Sequence, residues 1–353
     1  MLQELAIRNA YMFSQPLAEW PFMANSYLFV TEAGNVVIDP LPVDRFAHSQ
    51  IEQLGGIARI LLMTAGREAA SQALAARYGA TIIAKPQNRE ALFSGMVAIQ
   101  LPDQKRDHEF AIGIPGERAV VVGDAIFGSP AGALSMSPAE EYADVRAAAL
   151  GLRRILREDP ETLLVSFGSS VYTSAYAALY QLLYSRAGAE IHRINLDELE
   201  FSRQRDEHEN EPAPFRCLDA EVGFAIGARR LGYRVSTLAP GQRFCPLHSH
   251  AREEEMFLVL DGEPSVRTLS GTIRCRRGDF VALPVGHTGT HQLLNESSAP
   301  ATVLLLARNE RVEACYYPDS DKLLIDTQPP ILDGQPSIMV QASPTLEYFF
   351  GEE

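Results

Sequence analysis

Between Gly241 and Asn295 the chain reads GQRFCPLHSHAREEEMFLVLDG, then fifteen residues, then GDFVALPVGHTGTHQLLN. Half of its 8 histidines lie here: His248, His250, His287 and His291. Side chains two apart on an extended strand point to the same face, so His248 and His250 would turn both rings to one interior. Glu255 heads the apolar run MFLVL, a good strand signal, and His291 heads QLL. Two or three imidazoles and one carboxylate on one interior suit a divalent first-row metal, with positions left for water or substrate. Any one of these histidines alone would read as a solvated surface residue. Together, with glycines and prolines marking the turns, His248, His250, Glu255 and His291 form a candidate ligand set for one ion (Fe, Mn, Ni or Zn).

The same stretch resembles the cupin family. That family's first motif runs glycine, a short spacer, His-x-His, three or four residues, Glu, six residues, Gly; Gly241, His248, His250, Glu255 and Gly262 match it. Its second runs Gly, five residues, Pro-x-Gly, a short spacer, His, three residues, Asn; Gly278, Pro284, Gly286, His291 and Asn295 match. The Gly241–His248 spacer is one residue longer than usual, and the Gly286–His291 spacer holds four residues instead of two. The second departure sets His287 against His291 as the late ligand. Asn295 keeps its offset from His291, and the strand HQLL begins on it, which favours His291. The resemblance runs at least from about Gly223 to Lys322, and implies a β-barrel (jelly roll) with a metal centre on the four named residues. On the substrate it is nearly silent.

A chain of 353 residues is too long for one ordinary core and suggests two domains. With 46% hydrophobic and 22% charged residues it reads as globular and soluble. Its net charge of −14 carries no basic excess in either half, which argues against nucleic acid and anionic lipid as partners. Without an apolar run near the roughly 20 residues of a membrane span, and with no basic start or small-residue cleavage site in MLQELAIRNAYMF, a cytoplasmic, non-membrane protein is expected. Cys217, Cys245, Cys275 and Cys315 form no C-x-x-C pair and are expected as reduced thiols, Cys245 as a packing or rim residue.

The first half alternates strands and helices, as an α/β layered domain does. SYLFVTEAGNVVID predicts two strands around a turn at Glu32–Asn35, and RILLM, ATIIA, AVVV and LLVS predict buried strands. EAASQALAARY predicts a helix ended by Gly79. Ser137-Pro138-Ala139-Glu140 predicts the start of a helix running through VRAAALGLRRILRED, and SAYAALYQLLYSR a last helix. This order resembles the metallo-β-lactamase fold, an αββα sandwich, with Asp39, Thr64, Gly123-Asp124 and Gly168 at its landmarks. Where that family carries Thr-His-x-His-x-Asp-His, this chain has Thr64-Ala65-Gly66-Arg67-Glu68-Ala69-Ala70, and Phe167 precedes Gly168 where the late histidine would sit. Zinc needs three or more donors on one centre, so the half reads as a degenerate hydrolase scaffold without its metal ligands. Gly123-Asp124 is expected as a structural turn, and His48, His108, His192 and His208 as surface residues.

SRQRDEHENEPAP (202–214) is polar and closed by prolines, which suggests a linker. The expected domains are therefore 1–204 and 205–353, α/β followed by all-β. In the second, RVSTLAP, MFLVLDG, SVRTLSG, TIRCRRG, FVALPVG, HQLL and ATVLLLA come at barrel-like intervals, with Arg267, Arg274, Arg276 and Arg277 on the solvent face. An apolar interior with few convergent polar groups suits a small molecule. The expected function is a metal-dependent enzyme on a small polar molecule (an oxygenase, isomerase or lyase), with a non-catalytic first domain and a homodimer as the expected assembly. A non-catalytic ligand-binding or sensor protein is the alternative. No catalytic residue is assigned; Glu253, Glu254 and His287 are the nearby acid–base candidates.

Overall fold

The structure, a computed structural model, describes all residues except 18–20, 65, 107–108, 204–211, 329–330, 333–336, 347–349 and 351–353. His108, His208 and Ala65 thus lie outside the described residues, as does most of the charged segment expected as a linker. Contacts divide the chain into two compact units, Met1–Arg193 with Ala225–Gly227, and Ile194–Phe224 with Ala228–Glu353.

The first unit packs two sheets face to face. In one, antiparallel strands Ala10–Pro16, Met23–Phe29 and Val36–Ile38 continue into parallel Arg59–Leu62 and Thr81–Ala84. In the other, Val97–Gln100, Phe110–Ile114 and Ala119–Val122 pair antiparallel, and Thr162–Val165 joins Ala119–Val122 in parallel. Tyr27, Val36, Ile38 and Leu61 from the first meet Ile112, Val121 and Leu164 from the second in one buried core. The first sheet's other face buries Leu28, Val37 and Ile60 against Ile51 and Leu74 of helices Arg45–Gln53 and Glu68–Tyr78. Helix Ala175–Ala187 contacts strand Thr162–Val165 of the second sheet, and with it the αββα layering. As expected, Gly79 ends its helix in the left-handed region, at φ 70°, where glycine pays no Cβ penalty.

Two expectations fail here. Ser137-Pro138-Ala139-Glu140 does not open the helix: it forms a single turn, Ala139–Glu141, and the helix Val145–Gly151 starts from Asp144. The Asp144 side chain accepts from Arg146 N at 2.8 Å and Ala147 N at 3.1 Å, while the Ser137 hydroxyl is taken by Lys105 Nζ at 2.5 Å. A tertiary lysine outcompetes the local cap. His48 is half-buried, its Nδ1 2.9 Å from the Tyr78 hydroxyl; His192 is exposed.

The second unit is built of sheets. Leu218–Glu221, Leu231–Leu238, Ala301–Arg308, Glu255–Asp261 and Phe280–Leu283 lie side by side antiparallel, with Ser202–Arg203 at the edge. A second sheet holds Gly271–Arg274, Ser265–Thr268 and His291–Leu294; a third holds Ser249–His250, Val312–Tyr317, Lys322–Thr327 and Ser337–Gln341. Leu238, Phe257, Val259, Leu283, Val303 and Leu305 of the first sheet share one core with Val266 and Leu293 of the second. Every strand expected over 234–307 is present, Ser249–His250 adds a short one among them, and among the described residues five further strands flank them.

Candidate metal centre

The four candidate ligands come from three separate strand segments. His248 bridges to His291 across the chain, with His248 N donating to His291 O at 3.1 Å and His291 N to His248 O at 2.8 Å. His250 lies on the short strand paired to Val312–Tyr317, opposite Cys315. Glu255 opens its strand as expected. One donor atom from each of the four lies within 4.8 Å of the others. His248 Nε2 is 3.0 Å from His250 Nε2, and a Glu255 oxygen is 3.3 Å from His250 Nε2 and 2.9 Å from His291 Nε2.

His287 does not join them. It sits exposed on the turn His287–Gly289, and the chain passes so close to Pro284 at Gly289 that a Cβ there would lie 1.6 Å from the Pro284 carbonyl oxygen. That tight passage turns the backbone between the two histidines and leaves His291 inside, 1% exposed.

The backs of the rings set their tautomers. His248 Nδ1 faces the Pro246 carbonyl at 2.9 Å, and His291 Nδ1 the Gly289 carbonyl at 2.8 Å. Each Nδ1 must donate there, which leaves Nε2 with a lone pair directed inward. Inside, those nitrogens meet His250 Nε2 and a Glu255 oxygen. One cation among the four satisfies all of them at once, so the donor set fits a divalent metal. Burial and the neighbouring His291 and His250 pull the His248 pKa down to about 4, which favours the neutral ligand form. Burial would lower His250 too, but its hydrogen bonds to Cys315 and Glu255 and the Glu255 charge push it up to about 10. For Glu255 burial works upward and is outweighed by hydrogen bonds from His250 and His291, which hold it well below the usual carboxyl range.

Sequence reasoning missed the residues behind His250. Its Nδ1 faces Cys315 Sγ at 3.3 Å, with carboxyl oxygens of Glu313 and Glu253 at 3.8 and 3.9 Å. Glu313 accepts from three successive backbone N–H groups, Ala251, Arg252 and Glu253, and so clamps the loop between His250 and Glu255. His250, Glu313 and Cys315 also form a second donor group within 4.8 Å, but Glu313 is already spent on the loop. Tyr317 stacks on His248 with centroids 5.8 Å apart, and Phe257 sets its ring against His291 at 5.4 Å. Cys245, expected as a packing residue, lies half-buried 3.5 Å from His248 Nδ1. Of the acid–base candidates, Glu253 stands behind His250, and Glu254 and His287 are exposed.

In the first unit Arg67, Ala70 and Phe167 occupy positions where the resembled family places metal ligands. Asp124, expected as a turn residue, is buried and ion-paired with Arg106. Among the described residues no group of three metal donors gathers in this unit.

Comparison with known proteins agrees with this layout. A family model described as the metallo-beta-lactamase superfamily matches residues 3–185, and one described as a cupin domain matches 234–307. No curated protein matches the chain. Among solved structures, a cupin-superfamily sugar phosphate isomerase from Silicibacter pomeroyi is similar at 22% identity, over 43% of this chain and 94% of that one, with a TM-score of 0.37. A metallo-beta-lactamase from Erythrobacter litoralis is similar at 14% identity, over 52% of this chain and 89% of that one, with a TM-score of 0.40. A polyketide cyclase from Streptomyces resistomycificus is similar at 18% identity, over 33% and 79%, with a TM-score of 0.29.

Proposed function

For a chain that belongs to the metallo-beta-lactamase superfamily and carries a cupin domain after that region, we propose that the chemistry resides in the cupin domain alone. His248, His250, Glu255 and His291 hold one divalent metal (Fe, Mn, Ni or Zn), and the domain is a metal-dependent enzyme acting on a small polar molecule, as an oxygenase, isomerase or lyase. The observation that carries this is the pair of tautomers fixed by the Pro246 and Gly289 carbonyls, which commits two inward Nε2 lone pairs to a shared cation.

When bound, such a metal supplies a Lewis acid for substrate oxygens, or a place for dioxygen if it is iron. The chain's own residues prepare the site. Glu255 brings negative charge, so a divalent ion on neutral imidazoles keeps positive charge for an anionic or hydroxyl oxygen of the substrate. His248 and His291 are buried, whereas His250 and Glu255 are partly exposed, so substrate reaches the centre from the His250–Glu255 side. Tyr317 and Phe257 fix the planes of His248 and His291.

One observation favours the second reading, a binding or sensor module without turnover. Glu253 faces the outer Nδ1 of His250, and Glu254 and His287 are solvent-exposed, so none of the three is buried beside the four donor atoms as a proton carrier would be.

Elemental analysis of the purified full chain should find about one divalent metal per molecule. His291→Ala should lose most of it and His287→Ala should retain it; the opposite pattern refutes the ligand assignment. Metal-dependent turnover by the loaded chain, screened over small hydroxy acids and sugar phosphates, then separates the enzyme from the binding module.

A further inference from the structure

The carboxyl ends of the first unit's strands converge on one place, the position at which layered α/β folds hold ligands. Asp39 follows Val36–Ile38, Thr64 follows Arg59–Leu62, Asp124 follows Ala119–Val122, and Ser166-Phe167 follow Thr162–Val165. Arg67 lies beside them, 3% exposed, its guanidinium carbon 5.3 Å from the Phe167 ring centroid. Among the described residues, neither of its terminal nitrogens has a hydrogen-bond partner.

The nearest carboxyl groups do not pair with it. Asp39 Oδ1 accepts from Met63 N at 2.8 Å and Thr64 N at 2.9 Å, and its Oδ2 from the Thr64 hydroxyl and from Ser166 Oγ at 2.6 Å. Asp124 is bonded through Oδ2 to Arg106. Among the described residues, Asp124 Oδ1 and Glu109 Oε1 are also buried without a hydrogen-bond partner, and the Asp124 charge acts on both Arg67 and Glu109. A buried cation with an unused donor fork is costly, and an apolar side chain of the same length would be cheaper if nothing completed it.

We propose that the first unit binds a small oxyanion, a carboxylate or a phosphate, at these strand ends, on the terminal nitrogens of Arg67. The fork offers donors and no acceptor, in the planar geometry that takes two oxygens of one such group. Glu109, pushed up to about 7 by burial and then by the Asp124 charge, retains a proton to donate through much of the neutral range. The first unit thus carries a fixed side-chain cation at the place where the superfamily's motif would put a metal, and it binds an anion without hydrolysing it.

The test is titration of the full-length protein with inorganic phosphate and, separately, acetate at constant ionic strength, followed by thermal melting and calorimetry. A net charge of −14 repels anions from the surface at large, so a saturable effect reports a local site. One of the two anions should raise Tm saturably, with a Kd on the order of 10 mM or tighter; which one does so identifies the oxyanion class. Arg67→Met should abolish the effect, and Arg67→Lys, which keeps the charge but loses the fork, should weaken binding about ten-fold. No saturable effect from either anion, or an unchanged one in Arg67→Met, overturns the proposal and leaves an adventitious ion only. Should Arg67→Met fail to fold, Arg67→Lys decides the matter: weaker binding sustains the site, and wild-type affinity refutes it.

Discussion

The two units solve the same electrostatic problem in opposite ways. Each gathers buried polar side chains at strand ends. In the second unit, His248, His250, Glu255 and His291 direct lone pairs at a shared point, an arrangement that only a cation or shared protons can hold together. In the first, Arg67 places a cation within the fold, and Asp39 spends its oxygens on Met63, Thr64 and Ser166. A site built around acceptors calls for a metal, and a site with a built-in guanidinium calls for an anion. The fold persists either way because its core is elsewhere: Tyr27, Ile38, Leu61, Val121 and Leu164 pack between the sheets whatever stands at the strand ends.

That contrast makes Asp39 a residue of folding, and its removal the largest effect expected. Asp39→Ala strands two buried hydroxyls and two backbone N–H groups, at a cost of roughly 3–5 kcal/mol. Asp39 also sits at φ 48°, so Asp39→Asn, which tolerates that backbone, separates lost acceptors from strain. Denaturant unfolding followed in the first unit checks it; a loss below about 1 kcal/mol would mean that the network is dispensable.

A smaller effect is expected from Glu109. Burial, then the charge of Asp124, raises its pKa from 4.5 to about 7. A raised acid contributes stability that is fully present below its unfolded pKa and is lost as pH rises through the folded value. The wild type should therefore lose roughly 3 kcal/mol, relative to Glu109→Gln, between pH 4.5 and somewhat above 7. Stability curves of the two proteins that stay parallel across that window would refute the burial of this acid.

The grouping of the four candidate side chains was legible because it is written locally: His248, His250 and Glu255 fall within eight residues, and His291 heads a strand just after the close approach of Gly289 to Pro284. The strands were legible too, since apolar runs such as RILLM and AVVV allow few alternatives. What escaped depends on pairing across long sequence separations. Cys315 meets His250 because Val312–Tyr317 pairs with Ser249–His250, and no pattern around Cys315 announces that partner. The helix after Ser137 was misplaced for a similar reason, because Lys105 reaches Ser137 from far along the chain. Arg67 could be read as a lost ligand; that its fork remains unpaired is visible only once the strand ends are assembled.

The smallest effect concerns the back of the metal centre. His248 and His291 are backed by backbone carbonyls, which no substitution removes, but His250 is backed by the Cys315 thiol. Residues that hold the far nitrogen of a ligating imidazole typically change metal affinity by about 10–100-fold. Cys315→Ala should therefore weaken binding of the metal by about ten-fold, toward the lower end because Glu253 and Glu313 remain near the same nitrogen. Cys315→Ser restores an acceptor on the same strand and should recover part of the loss. Cobalt(II) titration reads both quantities, since affinity and the visible ligand-field spectrum respond to the orientation of His250, whereas a merely structural thiol would leave the spectrum unchanged. Equal affinity and identical spectra in the wild type and Cys315→Ala would assign the orientation of His250 to the two glutamates alone.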